Sequence, residues 1–233
     1  MRPTTRAAGP ALCFALATLT GCFSLARPTP LLERYVLGGA AGPGTDAGDG
    51  EGLTVGLRRL DLAPYLGTPA IVLRRGAHQI VLSDLHRWGE DPALSINHAV
   101  ARYLGAEDGV GAAHVAPWPA DSRHEYLVQL HVTRFEGVAA AEPSPGEEGE
   151  AHLQASWEII RESDGVIVAR GTTDHREAGW TVGDYAALVA MLDRGLVVLA
   201  RDVAAGLGEA ASTRHVRGRP LAGEPILARE DAP

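Results

Sequence analysis

The chain has 233 residues and a formal net charge of −8, and it contains no lysine, so arginine supplies its permanent positive charges. This acidic balance argues against a nucleic-acid ligand and against electrostatic binding to anionic lipid headgroups, since both need clustered positive charge. The two cysteines are Cys13 and Cys22. The rest of the sequence therefore excludes a cysteine nucleophile, a cysteine-ligated zinc ion and an internal disulfide.

The N-terminal residues have the features of a bacterial export signal. Arg2 and Arg6 precede an apolar run at 11–19, which is shorter than the roughly 20 residues that span a bilayer. The sequence Leu-Thr-Gly-Cys at 19–22 resembles a lipobox. By that resemblance residues 1–21 are a lipoprotein signal peptide, and Cys22 becomes a mature N-terminus that is lipidated on its thiol and amino groups. The alternative is an ordinary signal peptide with a chance cysteine.

Residues 22–33 are predicted to be the lipidated cysteine and a tether with two prolines. Such a tether reaches only ~20 Å, so we expect the folded part to lie close to the membrane. The residue after the anchor is Phe23, and not the aspartate that commonly retains such lipoproteins in the inner membrane, which favours the outer membrane. Removal of the signal leaves 212 residues with a net charge of −10, enough for one domain with a substantial core.

The first half of the mature chain predicts short strands and one helix. The elements before the helix are a strand at 34–37, a flexible glycine-rich loop at 38–52, a strand at 53–60, a turn-rich link at 61–69, and a hairpin of 70–74 with 78–82. Asp91 and Pro92 begin the helix as its N-cap and first residue, and Gly105 ends it. Its apolar face comprises Ile96, Val100, Tyr103 and Leu104. A short strand follows at 112–117.

The second half predicts three long strands and a long helix. Alternation of apolar and polar residues indicates strands at 124–135, 151–160 and 166–175, joined by an acidic loop at 139–150 and a turn at Asp164-Gly165, in an antiparallel meander. Asp184 is the predicted N-cap of a helix that runs to about Leu207, with Gly195 at a point of close packing. Residues 209–233 have no periodicity and are predicted to be a mobile tail.

These elements predict one mixed α/β domain at 34–208. Its core is a single mixed, largely antiparallel sheet of about six or seven strands, with two main helices. If the strands that the first helix joins pair in parallel, the crossover should be right-handed.

The sequence shows no clear catalytic or metal-binding motif. The nine histidines lack a ligand-like spacing. Four of them fall in the strand region, where solvated or hydrogen-bonded strand histidines are favoured over a shared metal site: His124, His131, His152 and His175. Ser83, Asp84 and His86 have the residue types of a catalytic triad, but their place at a strand end favours a local turn or cap. We therefore predict no catalytic residue, no metal and no cofactor.

The tryptophans are the more informative side chains. Trp157 lies on the apolar side of its strand and is predicted to be in the core. Trp88, Trp118 and Trp180 lie beside loops, where an aromatic residue suits either a contact surface or the core. Trp88 and Trp118 are the predicted protein-interface residues.

The order of these features resembles the PqiC/YmbA family of ABC-type transport auxiliary lipoproteins. The resemblance spans residues 33–207 and rests on the lipobox followed by Arg34-Tyr35-Val36-Leu37, Leu60-Asp61-Leu62-Ala63-Pro64-Tyr65-Leu66, Ile71-Val72, Arg87-Trp88, Pro117-Trp118, Tyr126-Leu127-Val128, Trp157 and Tyr185-Ala186-Ala187-Leu188-Val189.

The resemblance implies a non-enzymatic outer-membrane lipoprotein that faces the periplasm and serves an MCE-type lipid-transport system. It implies an MCE-domain protein of an ABC transporter as partner, and a homo-oligomeric ring that receives it. The 38–52 insert, the 139–150 loop and the arginine-rich tail depart from the family pattern. Two alternatives from other classes are a free-standing structural envelope lipoprotein and a lipid-anchored periplasmic hydrolase.

Overall fold

The computed structural model describes residues 31–39, 51–119, 121–142, 144 and 146–217. From Leu32 onward they belong to one structural unit. The predicted signal peptide, Cys22 and residues 218–233 of the predicted tail lie outside the described residues. Neither helix of the described chain combines the length and hydropathy needed to cross a bilayer.

Nine strands and two α-helices make up the described fold. The strands are β1 (Glu33–Tyr35), β2 (Leu53–Leu57), β3 (Asp61–Leu62), β4 (Ala70–Arg75), β5 (Gln79–Trp88), β6 (Val110–Val115), β7 (Tyr126–Ala139), β8 (Glu148–Arg161) and β9 (Ile167–Thr181). The helices are α1 (Pro92–Leu104) and α2 (Tyr185–Arg217), and a short 3₁₀ helix, Pro64–Leu66, lies between β3 and β4.

Strand β7 organises the sheet. One of its edges pairs with β8 in an antiparallel ladder, and β9 extends that ladder on the far side of β8. Its other edge takes β2, β3 and β4 in succession, all parallel to it. Strand β6 pairs with β2, β5 pairs antiparallel with β4, and β1 pairs with β5. In the described chain, β1 and β9 therefore lie on opposite edges of an open sheet.

The predicted fold class is confirmed: the protein is a mixed α/β structure with two helices, and its two longest ladders are antiparallel. The nine described strands exceed the expected six or seven, and β3, which has only two residues, is the one that the sequence did not predict. Strand β3 lies in the predicted turn-rich link. Two residues are too few to show an alternating pattern, and the strand exists because Asp61 and Leu62 pair with β7.

Helix α1 begins and ends where the sequence predicts. The Asp91 carboxylate accepts a hydrogen bond from the Leu94 N–H at 3.0 Å, Pro92 is the first helical residue and Gly105 is the C-cap. The predicted apolar face is buried. The helix joins β5 to β6, which do not pair with each other, so the condition for a right-handed parallel crossover is not met.

Helix α2 packs on β8 and β9 and against α1. Asp184 caps it as predicted, accepting the Ala187 N–H at 3.0 Å. A methyl group at Gly195 would lie 3.3 Å from Leu153 Cβ on β8, so the predicted close approach is made to the sheet. The predicted tail boundary is wrong for residues 209–217, because α2 continues to Arg217. The glycines at 206 and 208 do not end it, since Ala210 beyond them is buried against the core.

The side of the sheet that α2 covers holds the hydrophobic core. Alternate residues of β7 and β8 point into it, and it contains Trp157 as predicted. The largest fully buried side chains are Trp180, Tyr126, Leu57, Ile71, Ile96, Leu104, Leu130, Leu153, Ile159, Leu188, Leu192 and Leu196. Polar residues of β8 such as Gln154 and Ser156 lie on the other side and are half-exposed.

Candidate functional site: the Trp118 surface

The segment between β6 and β7 presents Trp118 at the surface. Its backbone is fixed at the start, where the Ala116 N–H donates to Leu57 O at 2.9 Å and the Ala116–Pro117 peptide bond is cis. Trp118 is half-buried between two exposed prolines, Pro117 and Pro119. Proline fixes its own backbone angle φ, so the backbone on both sides of Trp118 is restricted although it lies in a loop.

Two open cavities flank Pro117, and α1 forms the shared wall. One has a volume of about 540 Å³ and is lined by Leu60, Leu94, Asn97 and Ala116, among others. The other has a volume of about 570 Å³ and is lined on the Trp118 side by His98, Arg102 and His114. We call the Ala116–Pro119 segment together with Leu94, Asn97, His98 and Arg102 the Trp118 surface.

The Trp118 surface carries an exposed apolar side chain on α1. Leu94 is 42% exposed, which is high for a large aliphatic side chain on a helix. Asn97 is buried; its amide donates to Arg58 O at 2.9 Å, and its Oδ1 has no hydrogen-bond partner among the described residues. Because that oxygen is buried, the groups that a partner can reach here include Leu94 and Trp118 but not the Asn97 acceptor.

A pair of histidines, His114 and His124, lies against the loop that contains Trp118. His114 Nδ1 and His124 Nε2 lie 3.3 Å apart, so one ring donates to the other when both are neutral. The Trp118 indole meets the His124 ring edge to face, with centroids 4.7 Å apart. Glu162 accepts the His124 backbone N–H at 3.0 Å, and its other oxygen lies 3.7 Å from His124 Nδ1.

Burial decides the charge of His124. Removal from water lowers the pKa of His124 below its usual value; Glu162 opposes the shift, and His114 adds to it. His124 is therefore neutral at pH 7. Sequence reasoning named His124 but missed His114, because only the register of β6 with β2 and of β2 with β7 brings the two residues together.

The structure separates the two tryptophans that the sequence predicted at an interface. Trp118 is half-buried and lines one of the two cavities. Trp88 is only 4% exposed and packs near Phe135, with ring centroids 5.7 Å apart. Such a side chain offers little area to a partner, so Trp118 carries the interface hypothesis. Trp180 is also buried, and it donates its indole N–H to Asp184 O at 2.7 Å.

The four strand histidines do not converge. Each has its own carboxylate neighbour: Glu162 for His124, Asp61 for His131, Asp174 for His152 and Glu177 for His175. In the described part of the chain, no group of three His, Cys, Asp or Glu side chains is placed to hold a metal ion.

The Ser83, Asp84 and His86 residues do not form a triad. Ser83 Oγ accepts the His86 backbone N–H at 3.1 Å, the local turn role that the sequence favours. The His86 ring instead stacks on Tyr185, with centroids 3.9 Å apart.

A buried charge cluster lies on the polar side of the sheet. Glu136 of β7 is fully buried and accepts from Arg74 of β4 at 2.6 Å, while Arg134 lies 3.5 Å away. The Glu136 hydrogen bond raises the pKa of Arg74, so the guanidinium stays charged despite its burial. The cluster lacks a nucleophile, and its geometry suits a structural tie between β4 and β7.

A family model described as "ABC-type transport auxiliary lipoprotein component" matches residues 35–204. No curated protein matches the chain.

Two of the matching solved structures share the fold at low sequence identity. The chain is similar to protein XCC0632 from Xanthomonas campestris, with a TM-score of 0.61 and 16% identity, covering 79% of this chain and 98% of that one. It is similar to an uncharacterized protein with a TM-score of 0.57 and 15% identity, covering 76% and 99%. A PelC dodecamer from Paraburkholderia phytofirmans has a TM-score of 0.38 and 15% identity, covering 65% and 91%.

The family match runs from the last residue of β1 into α2 and so includes strands β2–β9, helix α1, the first part of α2 and the Trp118 surface. The chain belongs to the family of ABC-type transport auxiliary lipoprotein components, of the PqiC/YmbA type.

Proposed function

We propose that this auxiliary transport lipoprotein is anchored through Cys22 in the outer membrane, faces the periplasm and docks the MCE protein of an intermembrane lipid transporter. The family supports the association with an ABC-type transporter and is not a known enzyme family. Within the proposal, the lipoprotein supplies a docking station, while the transporter supplies energy and carries the lipid.

The observation that carries the proposal is the Trp118 surface. A half-buried tryptophan held between prolines, with an open cavity on each side of Pro117, has the shape of a site that receives side chains of another protein. Tryptophan is among the residues that contribute most to binding when a partner buries it. Exposed Leu94 extends the apolar area along α1.

The first test is a native pulldown of the tagged lipoprotein from detergent-solubilised membranes, read by mass spectrometry. Recovery of an MCE-domain protein with its ABC components is expected. The mass of the recovered lipoprotein complex also tests the homo-oligomeric ring that we propose with it. Recovery of the lipoprotein alone, under conditions that preserve another envelope complex, would favour the free-standing structural alternative.

The second test asks whether the MCE protein binds at the Trp118 surface. We expect Trp118→Ala to weaken binding of the recovered MCE protein by roughly 30-fold, the effect of losing about 2 kcal/mol at a hot spot, with an unchanged melting temperature. Ile167→Ala, at an exposed apolar residue on the β9 edge, is the matched control and should leave binding unchanged. Equal affinity of the Trp118 variant and the control would remove Trp118 from the docking site.

A further inference from the structure

An exposed apolar strip follows the outer side of β1, at the point where the chain leaves the folded unit towards its N-terminus. Leu32 is 45% exposed and Val36 is 68% exposed, with exposed Arg34 between them. The alternate residues Tyr35 and Leu37 are half-buried and pack against the core. Successive side chains of a strand point to opposite faces, so Leu32, Arg34 and Val36 share the face that is directed away from the core. We call these three residues the β1 strip.

The strip is held rigidly to the rest of the protein. Strand β1 pairs with β5 from Glu33 to Tyr35, and the Gly89 N–H donates to Tyr35 O at 2.7 Å. Just after β1, the Gly38 N–H donates to Asp193 Oδ1 at 2.9 Å, and Arg102 of α1 donates to Gly38 O at 3.1 Å. A surface that binds the strip therefore orients the whole domain.

We propose that the β1 strip rests on the phospholipid surface that holds the lipid anchor. This inference depends on lipidation at Cys22, which stands ten residues before Leu32 in the sequence. Even a fully extended segment of ten residues spans at most about 34 Å, and a flexible one reaches ~20 Å. A membrane surface is therefore the large apolar partner nearest to the strip, and the long side chain of Arg34 lets its charged end stay in water or among the headgroups while the strip makes contact.

A strip of this size is too small to bind a membrane alone, but it does not need to. The anchor already keeps the domain at the surface, so the strip only selects among orientations. The exposed fractions of Leu32 and Val36 add up to about one exposed side chain. Burial of one Leu or Val side chain favours the buried state by roughly tenfold or more. A tenfold bias suffices to make one orientation dominant.

Site-specific labels test the orientation in the complete lipidated protein. Cys13 is removed with the signal and Cys22 is acylated under the proposal, so one introduced cysteine carries the only reactive thiol. Val36→Cys places an environment-sensitive dye on the strip. Val166→Cys is the matched control, because Val166 is 50% exposed and precedes β9, on the opposite edge of the sheet. Unchanged melting temperatures establish that both variants fold.

The proteins are reconstituted at about one copy per vesicle in phosphatidylethanolamine and phosphatidylglycerol, with lipids that carry a nitroxide quencher near the headgroup. We expect quenching of the Val36 label to exceed that of the Val166 label at least fivefold. Equal quenching of the two labels in vesicles that float with bound protein overturns this inference but does not contradict the lipid anchor at Cys22. A protein that does not float with the vesicles overturns the anchor and this inference together.

A second copy is the competing occupant of the strip. If protein contact protects it, the Val36 dye shifts its emission only at high protein density and is not quenched by the lipid nitroxide. That result also overturns the proposal. Loss of the preferential Val36 quenching in Leu32→Asp, with flotation retained, is the expected outcome if the apolar strip itself makes the contact.

Discussion

The fold consists of two regions that are built in different ways. The long-ladder region comprises β7, β8, β9 and α2, and its strands have 14 or 15 residues. The short-ladder region comprises β1–β6 and α1, and its strands have two to ten residues. The three strands of the first region follow one another along the chain and are joined by the acidic loop and the Asp164-Gly165 turn. The second is assembled by parallel pairing of distant segments along one edge of β7.

The two regions have different roles: the long-ladder region supports the fold, and the short-ladder region carries the surfaces that are available for contact. The long-ladder region supplies two long ladders of strand hydrogen bonds. It also supplies most of the core residues, which pack between its strands and α2. The short-ladder region contains both cavities that flank Pro117, the half-buried Trp118 and the exposed β1 strip. Functional surfaces tend to lie in the less densely tied part of a protein, so we expect perturbations to act differently on the two regions.

The largest expected effect comes from cutting the tie between the regions. Glu136 of the long-ladder region is fully buried, and its ion pair with Arg74 reaches across to the short-ladder region. Removing one partner of a buried pair leaves the other charge without compensation. Because Arg74 keeps some exposure, we expect Glu136→Ala to lower the free energy of unfolding by about 3 kcal/mol, measured by urea denaturation.

Two variants separate this effect from simple loss of packing. The double variant Arg74→Met with Glu136→Leu removes both charges and should recover most of the lost stability. Glu158→Gln cuts the exposed Arg170–Glu158 pair and should cost less than about 1 kcal/mol. A single Glu136→Ala variant as stable as the Glu158→Gln control would contradict a structural role for the buried pair.

A smaller effect is expected inside the long-ladder region, where α2 touches the sheet. A methyl group at Gly206 would lie 2.7 Å from Trp157 Cη2, whereas one at Gly208 would meet nothing within 4 Å. Overpacking a core costs about 1–3 kcal/mol, and replacing a helical glycine with alanine gains up to about 1 kcal/mol. We therefore expect Gly206→Ala to destabilise by about 1–2 kcal/mol and Gly208→Ala to stabilise, measured by thermal unfolding. Stabilisation by both substitutions would mean that Trp157 moves aside.

The long-ladder region was largely predictable from the sequence, because its signals are local. Alternation identified the three strands, and Asp164-Gly165 forms the predicted turn, in which Gly165 has φ of 68°. The strands are longer than predicted. Strand β9 continues to Thr181 through exposed polar residues that carry no alternating pattern, since pairing with β8 holds them and only Trp180 near the end is buried.

The short-ladder region was predictable in its helix and its hairpin but not in its assembly. The N-cap at Asp91 and the hairpin of β4 with β5 are local signals, and both are confirmed, with the hairpin loop one residue later than predicted. Strand β3 and the parallel order along β7 depend on pairing between residues about 70 positions apart, such as Asp61 with His131. The candidate site follows the same division. A tryptophan between prolines is visible in the sequence, whereas the His114–His124 contact and the burial of Trp88 are consequences of that assembly.

The smallest expected effect is a pH dependence that distinguishes the regions through one buried histidine in each. His124 supports the Trp118 loop, and His152 lies on β8 beside Asp174 at 3.0 Å. Burial lowers the pKa of both, below the value of about 6.5 for an exposed histidine. The unfolded chain therefore binds protons that the folded protein does not. Stability should be full above pH 6.5 and should decrease as the pH falls towards the folded-state pKa values.

Thermal unfolding between pH 8 and 5 measures this dependence, and His124→Gln and His152→Gln assign it to a region. Each variant should flatten the acid side of the melting curve, because glutamine takes up no proton in the unfolded state. Hydrogen exchange should then show acid-induced opening first in α1 and β6. The short ladders around His124 have fewer strand hydrogen bonds to break than the two long ladders that flank His152. Simultaneous loss of protection in both regions would instead mean that the Arg74–Glu136 tie couples them into one cooperative unit, and the Glu136→Ala variant should then uncouple them.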